Sequence, residues 1–205
     1  MRLGFPLLLV AVVVAAILYF RKQRGRFERA QFLKWSGFAL MALSAAFFGL
    51  FLVGETLMDP GGWKALGLVS AWGVPLATLA AIAWFRPKWA IRVLAVLIAA
   101  VIGLSIWFAT DREWWRAFED RNGPIRDVLV FVVAAAAALL GVKRTAEAGV
   151  MLLVLGTVPL AIMSLGSLVG FGSLALLTSV DVVTGVLYLL SAAMTRRALP
   201  AQPAE

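Results

Sequence analysis

Long runs of apolar residues separated by short clusters of charge set the pattern of this chain. At 1.5 Å per residue, about 20 apolar residues cross the roughly 30 Å of hydrocarbon in a bilayer. Seven runs come near that length, at 4–20, 35–54, 65–85, 93–109, 128–142, 148–165 and 174–194. The fifth is the shortest, and Ile125 with the loop before it can extend it. The pattern predicts an all-α, polytopic transmembrane bundle of about seven helices, forming a single domain over 1–205 with 198–205 as a flexible cytoplasmic tail.

The first run reads as an uncleaved helix. A signal peptide carries its positive charge before the apolar segment and a small-residue cleavage site after it, whereas Arg21, Lys22, Arg24 and Arg26 follow this one. Positive loops stay on the cytoplasmic side, which gives the bundle a direction. Arg21, Lys22, Arg24, Arg26, Arg29 and Lys34, then Arg86, Lys88 and Arg92, Lys143 and Arg144, and Arg196 and Arg197 fall on one side. Arg2, Lys64, Arg112, Arg116, Arg121 and Arg126 fall on the other, the last four interleaved with acids in one loop. The N-terminus is therefore expected outside and the C-terminus inside. Aromatic residues agree, because Trp and Tyr favour the headgroup region. Tyr19, Trp35, Trp84, Trp89 and Tyr188 lie near inner ends; Trp63, Trp107, Trp114 and Trp115 lie near outer ones, and Trp72 fits packing between helices.

Two outer loops have local logic. Asp59-Pro60-Gly61-Gly62 reads as a tight turn, with Pro presetting φ and Gly supplying a positive one. In 110–127, Thr110 with Glu113 forms a capping pattern, Trp114, Trp115 and Phe118 share a side, Arg116 faces Asp120, and Asn122-Gly123-Pro124 supplies a stop. This loop is expected to hold a short amphipathic helix in the outer interface.

Composition strengthens the membrane reading. The chain is 62% hydrophobic and 15% charged, with a mean hydropathy of +0.94, against about half apolar and a quarter charged in soluble domains. Its net charge of +8 falls in clusters between apolar runs and not along one face, which fits membrane orientation and not a nucleic-acid partner. Cysteine and histidine are both absent. That excludes disulfides, thiol redox chemistry, Cys/His zinc and histidine-ligated haem.

Candidate chemistry centres on Asp181, the one ionisable residue inside a predicted span core, about seven residues or ~10 Å below the outer end of the last span. An acid there costs about 2.5–3.5 kcal/mol on insertion scales, so it must face protein or water. Such a group can carry a proton, coordinate an ion or bind a basic ligand. Alternatively it only fixes helix packing, with Thr178 and Thr184 satisfying its surroundings. Glu55 and Asp59 flank the first outer turn and are candidates for a cation or an amine, or simply solvated acids. Val74-Pro75-Leu76-Ala77 recurs as Val158-Pro159-Leu160-Ala161, so Pro75 and Pro159 each interrupt a helix ladder at mid-span. Paired interruptions of this kind mark binding sites in inverted-repeat transporters, and also arise by chance in such a composition. Ala45 with Gly49, and Gly166 with Gly170, are small-residue pairs suited to close helix packing.

Enzyme chemistry finds little footing. The absence of His removes Ser-His hydrolysis and H-E-x-x-H metalloproteases, a single intramembrane Asp removes an aspartyl dyad, and the last span lacks a lysine for a retinal Schiff base. Interfacial acids Glu55, Asp59, Asp111 and Glu113 acting on lipid remain without a motif. Gly54-Glu55-Thr56, Asp59-Pro60-Gly61-Gly62, Trp72, Pro75-Leu76 and Trp84-Phe85-Arg86-Pro87 resemble stretches of poorly characterised bacterial multi-pass membrane proteins. The resemblance covers the second and third spans and implies no activity. Together with the Ala-, Arg- and Gly-rich usage it implies a bacterial inner-membrane location. The expected function is a small transporter or transport accessory with a polar site at Asp181. The alternatives are a structural or assembly subunit of a membrane complex, or a lipid-modifying enzyme. The expected partners are the lipid bilayer and other membrane subunits, and no cofactor or metal is called for.

Overall fold

A computed structural model describes residues 25–58, 62–111, 113–115, 117, 118, 125–165 and 172–198, without the side chains of 26, 55–57, 163–165, 172–177 and 198. The first apolar run, 4–20, therefore lies outside the described residues, as do Asp59, Asn122-Gly123-Pro124, Gly166, Gly170 and the tail beyond Ala198.

Six long helices carry the fold: α1 (Arg26–Met58), α2 (Gly62–Phe85), α3 (Pro87–Thr110), α4 (Ile125–Gly141), α5 (Thr145–Leu165) and α6 (Gly172–Ala198). No strand occurs among the described residues. Most overshoot the apolar runs that announce them, because a run marks only the hydrocarbon-length section. α1 begins at Arg26 and carries Glu28, Arg29 and Lys34 before the run at 35–54 opens. Five of the six are long and apolar enough to cross a membrane, over 27–54, 62–85, 87–110, 145–162 and 178–197, which makes this a multi-pass membrane protein.

The sixth long helix, α4, has a different place. Each of the other five packs against it, and those five close a ring around it in the order α1, α6, α5, α3, α2 and back to α1. Its run of five alanines, Ala134 to Ala138, makes that possible. Side chains no longer than a methyl let several backbones approach one axis. Val130, Phe131, Val133, Ala136, Ala137 and Leu140 are all buried, and a helix that is apolar all round belongs inside a bundle.

Connections are short where they can be seen. Arg86 alone separates α2 from α3, and Pro87 opens α3 with the fixed φ that suits a first helical turn. Between α4 and α5, the Val142 and Lys143 amides donate to Leu139 O and Leu140 O. Gly62 opens α2 at φ 59°, the left-handed conformation that glycine adopts without steric cost.

Side-chain contacts sort the helix ends. Ser191 Oγ donates to Ala30 O at 2.7 Å, joining the end of α6 to the start of α1. Lys143 Nζ donates to Trp84 O and lies over the Trp84 ring, joining the ends of α4 and α2. One end of the bundle thus gathers Arg29, Lys34, Arg86, Lys88, Arg92, Lys143, Arg144, Arg196 and Arg197, while Lys64 and Arg126 lie at the other. Exposed Trp35, Trp84 and Trp89 ring the basic end; exposed Trp63, Trp107 and Trp114 ring the opposite one.

Tyr188 departs from the aromatic-belt expectation. It is fully buried, with its ring against Gly37 of α1 and Gly141 of α4. Its hydroxyl donates to Ala138 O at 2.7 Å, one of the last four carbonyls of α4, which lack partners within a helix. Trp115, also placed in a belt by its sequence position, is only 5% exposed. Trp72 does pack between helices, edge-on to Phe131 of α4 with its centroid 6.2 Å away.

Candidate functional site: a buried acid where three helices meet

α6 comes close to α5 because glycines line the contact. A Cβ on Gly185 would fall 2.9 Å from Gly149 O, and one on Gly149 would fall 3.1 Å from Gly185 O. Gly156 likewise lies against Thr178 O and the backbone of Val182. These glycines, spaced by seven on α5 and matched across the contact, are not the small-residue pairs expected from the sequence, of which Gly166 and Gly170 lie outside the described residues. Gly49 has only the tip of Trp72 near it.

With one flank of α6 held on α5, its buried face carries Thr178, Asp181, Thr184, Tyr188 and Ser191. Asp181 is 2% exposed and projects into a cavity of about 10 Å³ between three helices. α1 supplies Met41, Ser44 and Ala45 to its wall, α4 supplies Val130, Phe131 and Ala134, and α6 supplies Val180 and Asp181. That volume sits at the lower limit for one water molecule. Asp181 Oδ2 and Thr184 Oγ1 are buried without a hydrogen-bond partner among the described residues. Thr178 is fully buried and has an interaction partner of its own.

Among the described residues no cation lines this cavity, and the carboxyl meets a hydroxyl, aliphatic carbon and one aromatic ring. Phe131 forms the wall, backed by Phe48 at 5.0 Å and Trp72 at 6.2 Å between centroids. Among the described residues, no three acids come together to hold a metal ion.

The other sequence candidates are not gathered here. The Glu55 side chain lies outside the described residues, and about 16 Å of α1 separates its backbone from Ser44. Asp59 is outside them altogether. Both prolines lie inside helices that run on through them, but in unlike places: Pro75 is exposed on α2 and Pro159 buried on α5. The two chain halves also differ in packing, since α4 touches all five other long helices and α1 only α2, α4 and α6 to a comparable extent. Val-Pro-Leu-Ala thus lies at an exposed position on α2 and at a buried one on α5.

Two features escape a reading of the sequence. Ser44 is a lone serine in an apolar run, and only the arrival of α6 puts Asp181 on the wall of the same cavity. Arg126 and Asp127 read as loop charges, yet they open α4 as a buried pair, Nη2 to Oδ1 at 3.3 Å with side chains 10% and 7% exposed. The Arg126 guanidinium also lies over Phe108, 4.4 Å from the ring centre. Beside it Trp107, Trp114, Trp115 and Phe118 stack and cross at 5.1–5.4 Å. The cap of this segment is Asp111, whose Oδ1 accepts from the Trp114 amide at 3.3 Å. Thr110 instead ends α3 and donates back to Trp107 O.

No family model, no curated protein and no solved structure matches this chain.

Proposed function

We propose that the protein is a small transporter or transport accessory in which Asp181 is the working group. The supporting observation is the buried, unpartnered carboxylate oxygen facing a cavity between three separate helices. Intramembrane acids are expensive, and they persist at ion paths, proton relays and ligand counter-charges. A site shared by α1, α4 and α6 also changes shape whenever one of those helices shifts, as alternating access requires. Retention of positive loops puts the basic end in the cytoplasm and Asp181 in the outer half of a bacterial inner membrane.

Proteoliposomes under an imposed pH or sodium gradient, read with a voltage-sensitive dye, test this. A response above protein-free vesicles is expected, and Asp181→Asn should remove it at equal folded yield. An unchanged response in that variant would show that Asp181 is not the working group.

A second reading has its own observation. A cavity of about 10 Å³ has no room for an organic substrate, which suits a subunit whose acid organises helices within a larger assembly. Co-purification with a larger complex, together with wild-type yield and assembly of Asp181→Asn, would favour it.

A further inference from the structure

Building on the reading of Asp181 as the working group, we infer that its occupant is a proton and not a metal ion or an amine, and that Ser44 positions the protonated carboxyl.

Room and donors decide the occupant. In this arrangement of the helices the cavity of about 10 Å³ has room for about one water, so an organic amine does not fit unless the helices part. Among the described residues, the side-chain oxygens on its wall belong to Asp181 and Ser44 alone. Backbone carbonyls of the wall residues on α1, α4 and α6 are committed to helix ladders, and the ladder interruption at Pro159 lies on α5, which supplies nothing to this wall. Calcium takes six to eight oxygens and magnesium about six. Potassium sites likewise surround the ion with rings of carbonyls. Zinc would want Cys or His, of which the chain has none.

Charge leads to the same occupant. α1 brings Met41, Ser44 and Ala45 to the acid, and α4 brings Val130, Phe131 and Ala134. α5 meets this stretch of α6 through Gly149, Leu153 and Gly156. None of these is ionisable. The nearest described charges on these helices are Lys34 on α1, Arg196 on α6, Glu147 on α5 and, one turn before Val130 on α4, the Arg126–Asp127 pair, whose opposite charges offset each other. A charge of either sign left alone in such surroundings is costly. Adding one proton to the carboxylate leaves no charge at all and creates an O–H donor. The step takes a proton from hydronium, releases water, and reverses on deprotonation with no electrons exchanged.

Ser44 is the group that can recognise the change. A hydroxyl both donates and accepts, so it serves the ionised acid as donor and the neutral acid as acceptor, directly or through one water. It sits on α1, so each protonation change alters a contact between α1 and α6.

Infrared difference spectroscopy on the purified full-length protein in lipid nanodiscs, acid against alkaline, tests the proposal. We expect a protonated-carboxyl carbonyl band that titrates, is lost in Asp181→Asn, moves in Ser44→Ala and is unaffected by saturating sodium, potassium or calcium. Absence of a titrating band in wild type, or its loss on adding a metal ion at fixed pH, overturns the proton assignment. A band that does not move in Ser44→Ala overturns the role of Ser44, and that variant still reports if Asp181→Asn fails to fold. A titrating band with no ion movement in vesicles would leave this inference standing and remove the transport reading.

Discussion

Tyr188 of α6 lies so close to Gly141 of α4 that a Cβ at 141 would fall 1.9 Å from Tyr188 Cε2. The ring that fills this notch also touches Gly37 of α1, so one side chain locks three helices near the basic end. Gly141→Ala forces the ring out of its seat. Overpacking of this kind costs about 1–3 kcal/mol in well-packed cores, and denaturant titration in a fixed detergent should show at least that. Tyr188→Phe, which only removes the bond to Ala138 O, should cost about 1 kcal/mol. Equal effects from the two variants would mean that the notch is not tight.

The α5–α6 contact gives a paired prediction. Gly185→Ala sets a methyl against the Gly149 carbonyl, a backbone atom that cannot swing away, and should lower thermal stability clearly. Among the described residues, the methyl of Gly73→Ala meets nothing within 4 Å, and the change exchanges a poor helix former for the best one, a gain of up to about 1 kcal/mol. Thermal unfolding of both variants side by side separates packing from propensity. A stabilised Gly185→Ala would contradict the glycine contact.

At the head of α4, truncating one member of the Arg126–Asp127 pair leaves the other charge buried. A buried charge that loses all compensation costs about 3–5 kcal/mol; Arg126 keeps its place over Phe108, so Asp127→Ala should destabilise clearly but by less than that. The double variant Arg126→Met, Asp127→Leu should be less harmful than Asp127→Ala, because no charge is left behind. A double-mutant cycle on unfolding free energy reads this directly, and independent, additive effects would show that the pair is not coupled.

Sidedness is open to chemical labelling because the chain has no cysteine of its own. Single cysteines at Lys88, Lys143 and Arg196 should react from one side of sealed vesicles, and those at Lys64 and Asp111 from the other. Labelling of Lys143→Cys and Lys88→Cys from opposite sides would contradict the packing that brings Lys143 onto Trp84.

How legible was this in the sequence? Apolar run length announced each described long helix, since crossing hydrocarbon is a requirement each segment meets by itself. Asp181 stood out for the same reason: a carboxyl in an apolar run is costly wherever its neighbours come from. What stayed hidden depends on partners distant in the chain. Ser44 matters because α6 brings Asp181 to the same cavity wall, and Gly185 because Gly149 faces it. Tyr188 and the Arg126–Asp127 pair were read as interface and loop residues because position along a helix gives depth and not direction. The alanine run of α4 was read as a short span, when its small side chains make it the centre of the ring.

That central position separates α4 from the bilayer. At 17 residues it is about 25 Å long, short of the hydrocarbon thickness of about 30 Å. A span in contact with lipid answers such mismatch by tilting or by thinning the bilayer around it. α4 has protein on every flank, so the mismatch falls on nothing. A thicker or thinner membrane acts on the five outer helices alone, changing their tilt about an axle that does not feel the lipid. The cavity at Asp181 is walled by two outer helices and that axle, so a change in the tilt of either outer helix would reshape the wall around the acid.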